Sequence, residues 1–478
     1  MPASDPASSV AVEGDPTIDL AQLRAIHVVG VGGAGMSAIA TVLAAMGHTV
    51  SGSDLKASAG LERLRAQGVT VHVGHAADHV GEVDAVAIST AVPAHNPEVR
   101  EAHRRGIPVL RRARILAAIT ATRRTVAVAG THGKTTTSSM LAVVLREAGL
   151  RPSFIIGADV NEIGTGAVWD DGDLFVVEAD ESDGTFLELD AHAAVVTNVE
   201  PDHLEHYGGF ANLQAAFAGF LAASPGPRVV CADDPLAASL GVAVGATSYG
   251  TSANADHRMT DVRTERAGTT FTVVRGGEEL GTVHLPVPGL HNARNACAAL
   301  VIGLLLGAPF AAARTALGRF AGVARSLEFR GEAAGVNFAD DYAHLPSEVA
   351  VALEAATQGG WRRIVCVFQP HRYSRTAALW RDFADAFDRA DLLVVTDVYA
   401  SGEAPRPGVS GLLIVHAVLD AHPWHRLAYL PRRVDLVPFL ARELKAGDLC
   451  LTLGAGDLTG LPDEVRAALA PAAPTRSS

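Results

Sequence analysis

The sequence predicts an α/β protein with three domains, each built around a largely parallel sheet. Short apolar segments that suit buried strands alternate with helix-like segments along most of the 478 residues, and this alternation is typical of strand-helix-strand units. At roughly 100 to 200 residues per domain, this length corresponds to about three domains. We expect the domains at residues 18–122, 123–318 and 319–470, with small, polar, disordered tails at 1–17 and 471–478.

The first predicted domain opens with IHVVGVGGAGMS, which has the pattern of a strand, a tight turn and a helix. Gly30, Gly32 and Gly35 stand in GxGxxG register, so we expect a Rossmann-like fold that holds a nucleotide. Asp54 ends a second predicted strand, and taken alone this arrangement indicates NAD, with Asp54 on a ribose hydroxyl. A further strand, DAVAIST, leads towards Asn96.

The second predicted domain begins with VAVAGTHGKTTT, an apolar strand that ends in a glycine-rich turn before a helix. Such a turn surrounds ATP phosphates with backbone N–H groups, so we expect a central P-loop ATPase-like domain in which Lys134 neutralises phosphate and Thr135 ligates Mg²⁺. Only three lysines occur in the chain, Lys56, Lys134 and Lys445, which makes a chance lysine here improbable. The alternative is an ordinary glycine turn, because the spacing departs from the general P-loop.

Two further apolar strands of this domain end in polar residues, in DLFVVEADESDGTF and AAVVTNVEPDHLEH. Ligands of an open α/β sheet sit at the carboxyl ends of its strands, so Glu178 and His203 should face the phosphate loop. Oxygen ligands beside such a loop suit Mg²⁺. For Asp180, Glu181 and Asp183, a solvated acidic loop and a functional role are equally good interpretations.

Two more polar groupings stand out along the rest of the chain. In PGLHNARNACAAL, Asn292 and Asn295 are spaced to share one face of a helix. The third predicted domain, also Rossmann-like, repeats the pattern of a strand followed by a polar or glycine-rich turn. His371, Arg372 and Arg375 follow its strand VCVFQP, and arginines at a strand's carboxyl end commonly meet carboxylate or phosphate.

Composition excludes several functional classes. A net charge of -13 and a pI near 5.8 argue against nucleic-acid binding, which requires a basic face. The four cysteines are far apart and show no CxxC spacing, so we expect buried, reduced thiols and a cytoplasmic location. No uninterrupted apolar segment approaches the roughly 20 residues of a membrane span, and the first residues lack the basic start of a signal peptide.

Taken together, the motifs identify a family, because the chain resembles the Mur ligases over nearly its whole length. The resemblance lies in GVGGAGMS, ISTAVPAHNPE, GTHGKTTT, EADESDGTF, TNVEPDHLEH, HNARNACAA, DDYAHLPSEV, QPHRYSRT, DVYASGE and LGAGD. GVGGAGMS and QPHRYSRT are similar to the members that add L-alanine to UDP-N-acetylmuramate. The resemblance therefore implies an ATP- and Mg²⁺-dependent ligase of peptidoglycan precursor synthesis that activates a carboxylate as an acyl phosphate.

The resemblance also implies roles for individual residues, with the first glycine loop holding UDP rather than NAD. The UDP-sugar would contact Gly30, Gly32, Gly33, Gly35, Met36, Ser37, Asp54 and Asn96. ATP would contact Gly130, Thr131, His132, Gly133, Lys134, Thr135, Thr136, Asn292, Asn295 and Asp341. Metal ligation falls to Thr135, Glu178 and His203, and catalysis to Lys134, Glu178, His203 and Asp341. The amino acid and the lactyl group would meet Tyr342, His344, His371, Arg372 and Arg375.

The chain departs from the family's pattern in two places. Relatives read GVxRRFE where this chain reads GVARSLEF, which puts Ser326 and Leu327 in place of an arginine and a phenylalanine. Arg325 or Arg330 could supply the missing charge from a shifted register, whereas serine cannot replace a guanidinium. Leu345 stands where relatives carry a second histidine.

The sequence is therefore consistent with three functions: an amino-acid ligase, a divergent Mur-like relative with weak activity or another amino-acid preference, and an NAD-dependent oxidoreductase. The second phosphate loop with its own metal ligands favours the ligase over the oxidoreductase. The departures at Ser326 and Leu345 are the sequence support for the divergent relative. Monomer and homodimer both fit the composition.

Overall fold

The computed structural model describes residues 19–89, 91–265, 268–323 and 327–470. The predicted tails at 1–17 and 471–478, and the departure at Ser326 with its neighbour Arg325, lie outside these residues. Three separate sheets of five, ten and six strands organise the described chain. The predicted three-domain α/β fold is confirmed.

The first sheet is wholly parallel and has the order β3-β2-β1-β4-β5. Its strands are β1 (Ala25–Val29), β2 (Thr49–Asp54), β3 (Thr70–Val73), β4 (Ala85–Ile88) and β5 (Val109–Arg111). The helices of this region are α1 (Ala34–Ala45), α2 (Ala59–Ala66), α3 (Pro97–Arg105) and α4 (Arg112–Thr120). The glycine turn between β1 and α1 lies at the carboxyl edge, where such sheets bind ligands.

The second sheet has the order β15-β14-β13-β12-β11-β10-β6-β9-β7-β8. Its strands are β6 (Arg124–Ala129), β7 (Ser153–Val160), β8 (Thr165–Val168), β9 (Leu174–Glu178), β10 (Ala191–Val196), β11 (Arg228–Cys231), β12 (Thr247–Gly250), β13 (His257–Glu265), β14 (Gly268–Arg275) and β15 (Glu278–Leu285). The seven central strands, β13-β12-β11-β10-β6-β9-β7 in sheet order, pair in parallel. The strands at the two edges, β8 on one side and β14 and β15 on the other, pair antiparallel.

Six helices accompany the second sheet, and two of them form much of its core. They are α5 (Lys134–Glu147), α6 (Leu204–Tyr207), α7 (Phe210–Ala223), α8 (Pro235–Val244), α9 (Leu290–Leu305) and α10 (Phe310–Leu317). α5 and α9 pack against each other and are buried along most of their length. This burial fixes the start of α5, where the phosphate loop ends.

The third sheet has the order β16-β17-β21-β18-β19-β20 and is parallel except for β16. Its strands are β16 (Glu328–Ala333), β17 (Val336–Asp341), β18 (Arg363–Phe368), β19 (Leu392–Val395), β20 (Leu427–Tyr429) and β21 (Asp448–Leu453). Its helices are α11 (Pro346–Thr357), α12 (Tyr373–Leu379), α13 (Leu412–Ala421), α14 (Leu436–Glu443) and α15 (Leu461–Leu469). Short 3₁₀ helices lie at Leu20–Gln22, Ala77–Val80, Thr185–Leu187, Trp380–Phe383, Arg433–Asp435 and Asp457–Gly460.

Contacts between the three parts bring their ligand-binding edges together. α1 packs on β7 and β8, and Arg112 at the start of α4 forms an ion pair of 3.0 Å with Asp183 after β9. The N-terminal end of α11 meets the phosphate loop, where Glu348 lies 3.0 Å from His132. The carboxyl edges of all three sheets therefore converge on one region.

Two sequence-based expectations concern the cysteines and membrane-spanning segments. All four cysteines are free and buried, as expected for reduced thiols. None of the helices in the described ranges combines the length and apolarity that crossing a membrane requires.

Candidate active site

A cavity of about 830 Å³ opens where the three parts of the chain meet. Its walls include the phosphate loop, the ends of β9, β10 and β17, and the start of α9 and α11. Ala34, at the start of α1, also lines it, so the first glycine loop opens towards the same space. The residues predicted for the site that line it are Thr131, His132, Gly133, Lys134, Thr135, Thr136, Glu178, His203, Asn295, Asp341, Tyr342 and His344.

The phosphate loop needs glycine at two positions because neighbouring groups approach its backbone closely. Gly130 has φ +133°, and a Cβ there would lie 2.1 Å from Thr197 Oγ1. Gly133 has φ +80°, and a Cβ there would lie 2.5 Å from Asn295 Oδ1. Both backbone conformations favour glycine, so the loop is fixed tightly against β10 and α9.

Lys134 is held in the loop by a buried carboxylate. Its Nζ lies 2.9 and 2.8 Å from the two oxygens of Glu181 and donates to the carbonyls of Gly130, at 2.7 Å, and Thr131, at 3.2 Å. Burial lowers the pKa of Lys134, but the acidic residues around it, Glu181 first, outweigh burial and raise the pKa above its usual value. Glu181 is only 2 % exposed, so the solvated-loop interpretation is wrong for this residue.

Thr135 and Glu178, both predicted metal ligands, lie next to each other. Thr135 Oγ1 donates to Glu178 Oε2 at 2.9 Å, and the same oxygen accepts the Gly157 N–H at 2.8 Å. Burial raises the pKa of Glu178, and a nearby cation would offset that cost of ionisation. A hydroxyl and a carboxylate beside a phosphate loop are the oxygen donors that Mg²⁺ prefers.

His203 follows β10 and lines the cavity, with its Nε2 3.1 Å from Asp202 Oδ2. Asp202 Oδ1 lies 3.8 Å from Arg375 of the third part. Burial opposes ionisation, but His203 and Arg375 hold the pKa of Asp202 well below its usual range. The predicted metal ligand is thereby joined to the predicted substrate-binding arginine through one carboxylate.

The two predicted asparagines of α9 have different surroundings. Asn295 lies against the phosphate loop and lines the cavity. Asn292 is 4 % exposed, and its amide donates to the Pro288 carbonyl at 2.8 Å, which ties the loop before α9 to the helix. Asn292 therefore holds the loop in place and does not line the cavity.

Asp341 ends β17 and faces the cavity with both oxygens engaged. Its Oδ1 accepts the Ala343 N–H and its Oδ2 accepts the Leu327 N–H, each at 2.7 Å. Burial raises the pKa of Asp341 to about 7, so a cation or a donor from a ligand would favour its ionised form.

The histidines and arginines of the third part form a compact cluster beside Asp341. His371 stacks on Tyr399 and meets the ring of His344 edge-on at 5.6 Å. Arg375 donates to His371 Nδ1 at 3.0 Å, and burial with the neighbouring positive groups lowers the pKa of His371 to about 3. Arg372 has a buried Nε with no hydrogen-bond partner among the described residues, so it offers a donor to an anion.

Tyr342, also predicted for this end, lines the cavity and is 47 % exposed. Leu345 is 5 % exposed and packs at the start of α11. Arg330 forms ion pairs with Asp463 and Glu328 and is not among the residues that line the cavity. In this structure its charge is therefore engaged outside the cavity.

The first glycine loop has the shape predicted for a nucleotide site. Gly30 has φ +76°, and the loop leads into α1 with no side chain capping its first N–H groups. Gly32 donates its N–H to Asp54 Oδ2 at 2.9 Å, and a Cβ on Gly32 would overlap that carboxylate. Gly33 is the N-cap of α1, and Ser37 on its first turn is half-buried.

Three predicted UDP-sugar residues have structural neighbours of their own. Met36 is 2 % exposed because its side chain lies in the hydrophobic core, so the predicted contact with the UDP-sugar would come from its backbone N–H on the first turn of α1. The Asn96 side-chain oxygen accepts the N–H groups of Glu98 and Val99 and caps α3. A Cβ added to Gly35 would lie 3.5 Å from Arg112 Nη1, so Gly35 is next to that guanidinium.

Sequence reasoning missed a second polar wall of the cavity beyond the phosphate loop. Asp233 accepts from Arg294 Nε at 2.7 Å and from the Thr251 N–H at 2.9 Å. Burial lowers the pKa of His291, which also lines this wall, to about 4. The signal that could have found Asp233 is its position two residues after β11, at the same carboxyl edge as Glu178.

Comparisons with known proteins cover nearly the whole chain. Three family models match in order: "Mur ligase family, catalytic domain" at residues 25–124, "Mur ligase middle domain" at 128–303, and "Mur ligase, glutamate ligase domain" at 327–456. UDP-N-acetylmuramate--L-alanine ligase of Salinibacter ruber is 46% identical over 446 residues, which are 92% of this chain and 94% of that protein.

Two further comparisons agree with these matches. The protein of the same name from Saccharopolyspora erythraea is 47% identical over 461 residues, 94% of each chain. The crystal structure of UDP-N-acetylmuramate-alanine ligase from Thermotoga maritima has a TM-score of 0.79 at 28% identity and covers 94% of this chain and 99% of that one.

Proposed function

The chain belongs to the Mur ligase family, and we propose that it joins L-alanine to the lactyl carboxylate of UDP-N-acetylmuramate at the expense of ATP. The observation that carries this proposal is the cavity lined by the phosphate loop, by Ala34 at the start of α1, and by Asp341, Tyr342 and His344 of the third part. A triphosphate, a sugar nucleotide and an amino acid must meet in such a site for the reaction to occur.

The phosphate loop provides the ATP end of the site. We infer that the backbone N–H groups at the start of α5 and the Lys134 ammonium bind the β and γ phosphates. Lys134 exchanges its contact with Glu181 for the phosphate when the nucleotide enters. The wall formed by Asp233, His291 and Arg294 is open for the rest of the nucleotide.

Thr135, Glu178 and His203 are the residues that would hold Mg²⁺, and the contact of 2.9 Å between Thr135 and Glu178 fits that donor set. When bound, Mg²⁺ neutralises charge on the phosphates and joins them to the protein. Glu178 fits this role because, among the described residues, one hydroxyl and one backbone amide donate to its carboxylate, both to Oε2.

The first chemical step makes the lactyl carboxylate reactive. Its oxygen attacks the γ-phosphorus in line, ADP leaves, and an acyl phosphate forms. Lys134 stabilises the charge that develops on the transferred group, and such steps depend mostly on positioning and electrostatics. The buried Nε of Arg372 offers a donor to the lactyl carboxylate or to the acyl phosphate.

The second step needs a neutral alanine amine. Burial lowers the pKa of His344, so its imidazole is neutral near pH 7. With its Nδ1–H donating to the Tyr342 carbonyl at 3.1 Å, its Nε2 is available to receive the ammonium proton. The amine then attacks the acyl carbon and inorganic phosphate leaves.

Two competing functions have less support. The oxidoreductase interpretation rested on the first glycine loop alone, and the matches to ligases over the whole chain argue against it. A divergent relative would rest on the departures at Ser326 and Leu345. A cytoplasmic location, which suits the four reduced cysteines and these substrates, belongs to the same proposal.

Phosphate release by the purified protein tests the proposal. ATP, Mg²⁺ and UDP-N-acetylmuramate are supplied with L-alanine, glycine, L-serine or no amino acid. The proposal requires release that depends on both the sugar nucleotide and L-alanine. Release with glycine or L-serine in preference to L-alanine would move the assignment to a relative of altered specificity.

A further inference from the structure

A cluster of four side chains joins the phosphate loop to the third part of the chain, and we call it the interdomain cluster. It comprises His132, Glu200, Ser347 and Glu348. His132 Nδ1 lies 3.0 Å from Glu348 Oε1, and His132 Nε2 lies 3.2 Å from Glu200 Oε2. Ser347 Oγ donates to Glu200 at 2.8 Å and lies 3.1 Å from His132 Nε2.

Hydrogen bonds within the central domain hold the backbone of His132 in place. The His132 N–H donates to Asn198 Oδ1 at 2.8 Å, and its carbonyl accepts from Asn198 Nδ2 at 3.1 Å and from Thr197 Oγ1 at 2.5 Å. Its N–H is therefore occupied in this structure. Residues that follow β10 therefore hold the backbone of the loop, and the imidazole contacts the third part of the chain through Nδ1.

Glu348 uses its second oxygen at the start of α11. Glu348 Oε2 accepts the N–H groups of His344, at 2.8 Å, and Leu345, at 3.0 Å. These are the donors that a helix N-terminus leaves without partners. One carboxylate therefore contacts both the phosphate loop and the backbone of a residue predicted to bind the amino acid.

The charges in the cluster suit a cationic imidazole. Burial lowers the pKa of His132, but the hydrogen bonds to Glu200 and Glu348 outweigh it and bring the pKa to about 9. Burial also disfavours ionised Glu348, but His344 and His132 hold its pKa well below the usual range. The other acids close to Glu348 are Glu200, in the same cluster, and Asp341, on β17.

We propose that Glu348 is a positioning residue, which docks the third domain on the phosphate loop through His132 and at the same time orients His344. This inference rests on the proposed function, because His344 and the phosphate loop serve the same reaction only in a ligase. Removing the negative charge of Glu348 weakens the contact between domains without removing any group that touches substrate.

The test compares Glu348→Gln with Glu354→Gln, a matched control on the same helix whose side chain is 55 % exposed and pairs with Arg389. We expect Glu348→Gln to lower kcat by about 10-fold or more, because a hydrogen bond between charged groups is lost. Its affinity for ATP alone should stay within about twofold of wild type, since the loop that binds phosphate keeps its own contacts. Glu354→Gln should match wild type in both.

A double-mutant cycle separates docking from a general loss of stability. If Glu348 acts through His132, the variant carrying His132→Gln and Glu348→Gln is no slower than the slower single variant, within about twofold. Effects that multiply would show that the two residues act independently and would overturn the inference.

Small-angle X-ray scattering of the full chain, with a non-hydrolysable ATP analogue and UDP-N-acetylmuramate, measures docking without turnover. Glu348→Gln should have a larger radius of gyration than wild type and Glu354→Gln. An unchanged radius and an unchanged kcat would refute the positioning role. Scattering does not depend on catalysis, so the docking result can be interpreted even if the wild-type protein has no ligase activity. That absence of activity would contradict the proposed function but not the docking role of Glu348.

Discussion

Replacing Glu181 by glutamine should destabilise the ATP-free protein much more than the ATP-bound one. Glu181 is 2 % exposed and contacts Lys134 Nζ through both oxygens, at 2.9 and 2.8 Å. Removing one partner of a buried ion pair costs about 3 to 5 kcal/mol, because the other charge stays buried. Lys134 keeps two carbonyl acceptors, at Gly130 and Thr131, so we expect the lower end, about 3 kcal/mol.

ATP changes this outcome because its phosphates replace the missing carboxylate. With a non-hydrolysable ATP analogue and Mg²⁺ bound, Glu181→Gln should lower the stability of the protein by about 1 kcal/mol or less, since Lys134 again has a negative partner. The analogue should bind the variant at least as tightly as wild type, because Lys134 no longer has to leave Glu181.

Hydrogen exchange of α5, read by mass spectrometry, measures the free energy of local opening. If the free energy of local opening falls by about 3 kcal/mol, amide exchange in α5 of the ATP-free variant should be about 100-fold faster than in wild type. Glu188→Gln, an exposed glutamate of the same segment, serves as the control and should leave α5 unchanged. The reasoning is refuted if Glu181→Gln accelerates exchange equally with and without the nucleotide, or not at all.

Three further predictions concern the loop, the metal ligands and the first domain. Lys134→Ala should lower turnover by about 100-fold or more, as loss of one preorganised charge contact does, whereas Lys445→Ala, at an exposed position, should not; steady-state phosphate release measures both. Thr135→Val should raise the Mg²⁺ concentration required for half-maximal turnover by about tenfold, because a ligand oxygen is lost, and an unchanged Mg²⁺ titration would contradict the metal assignment. Burial raises the pKa of Glu98, but contacts from buried neighbours, with His27 first, outweigh it and lower the pKa from 4.5 to about 2; the ionised carboxylate therefore contributes about 3 kcal/mol of stability above pH 4.5, which is lost as the pH falls towards 2. The free energy of unfolding of wild type should therefore decrease as the pH falls from about 4.5 to about 2, and Glu98→Gln should make this decrease smaller.

The sequence predicts strands, and the residues at their carboxyl ends, wherever a local pattern determines them. Strands such as β6 and β9 are continuous apolar runs because both faces of a parallel sheet are covered. Parallel strands end at one edge, so residues after different strands, such as Thr135 and Glu178, could be predicted as neighbours. The antiparallel additions β8, β14 and β15 carry no such signal and were not predicted.

The sequence did not determine features that depend on side-chain direction or on another domain. Met36 stands in a glycine-rich motif, but the 3.6-residue period of α1 turns it into the core. Glu181 reads as part of an acidic loop, and only the packed structure reveals that it is buried against Lys134. The contact of His132 with Glu348 spans 216 positions of sequence, and no local pattern encodes such a pairing.

The measurement that tests the central claim most directly is phosphate release with each substrate omitted in turn. The account predicts ATP-dependent release only when UDP-N-acetylmuramate and L-alanine are both present, with a product heavier than the sugar nucleotide by one alanine residue. Release that needs no alanine, or no release from a protein that binds both nucleotides, would contradict it.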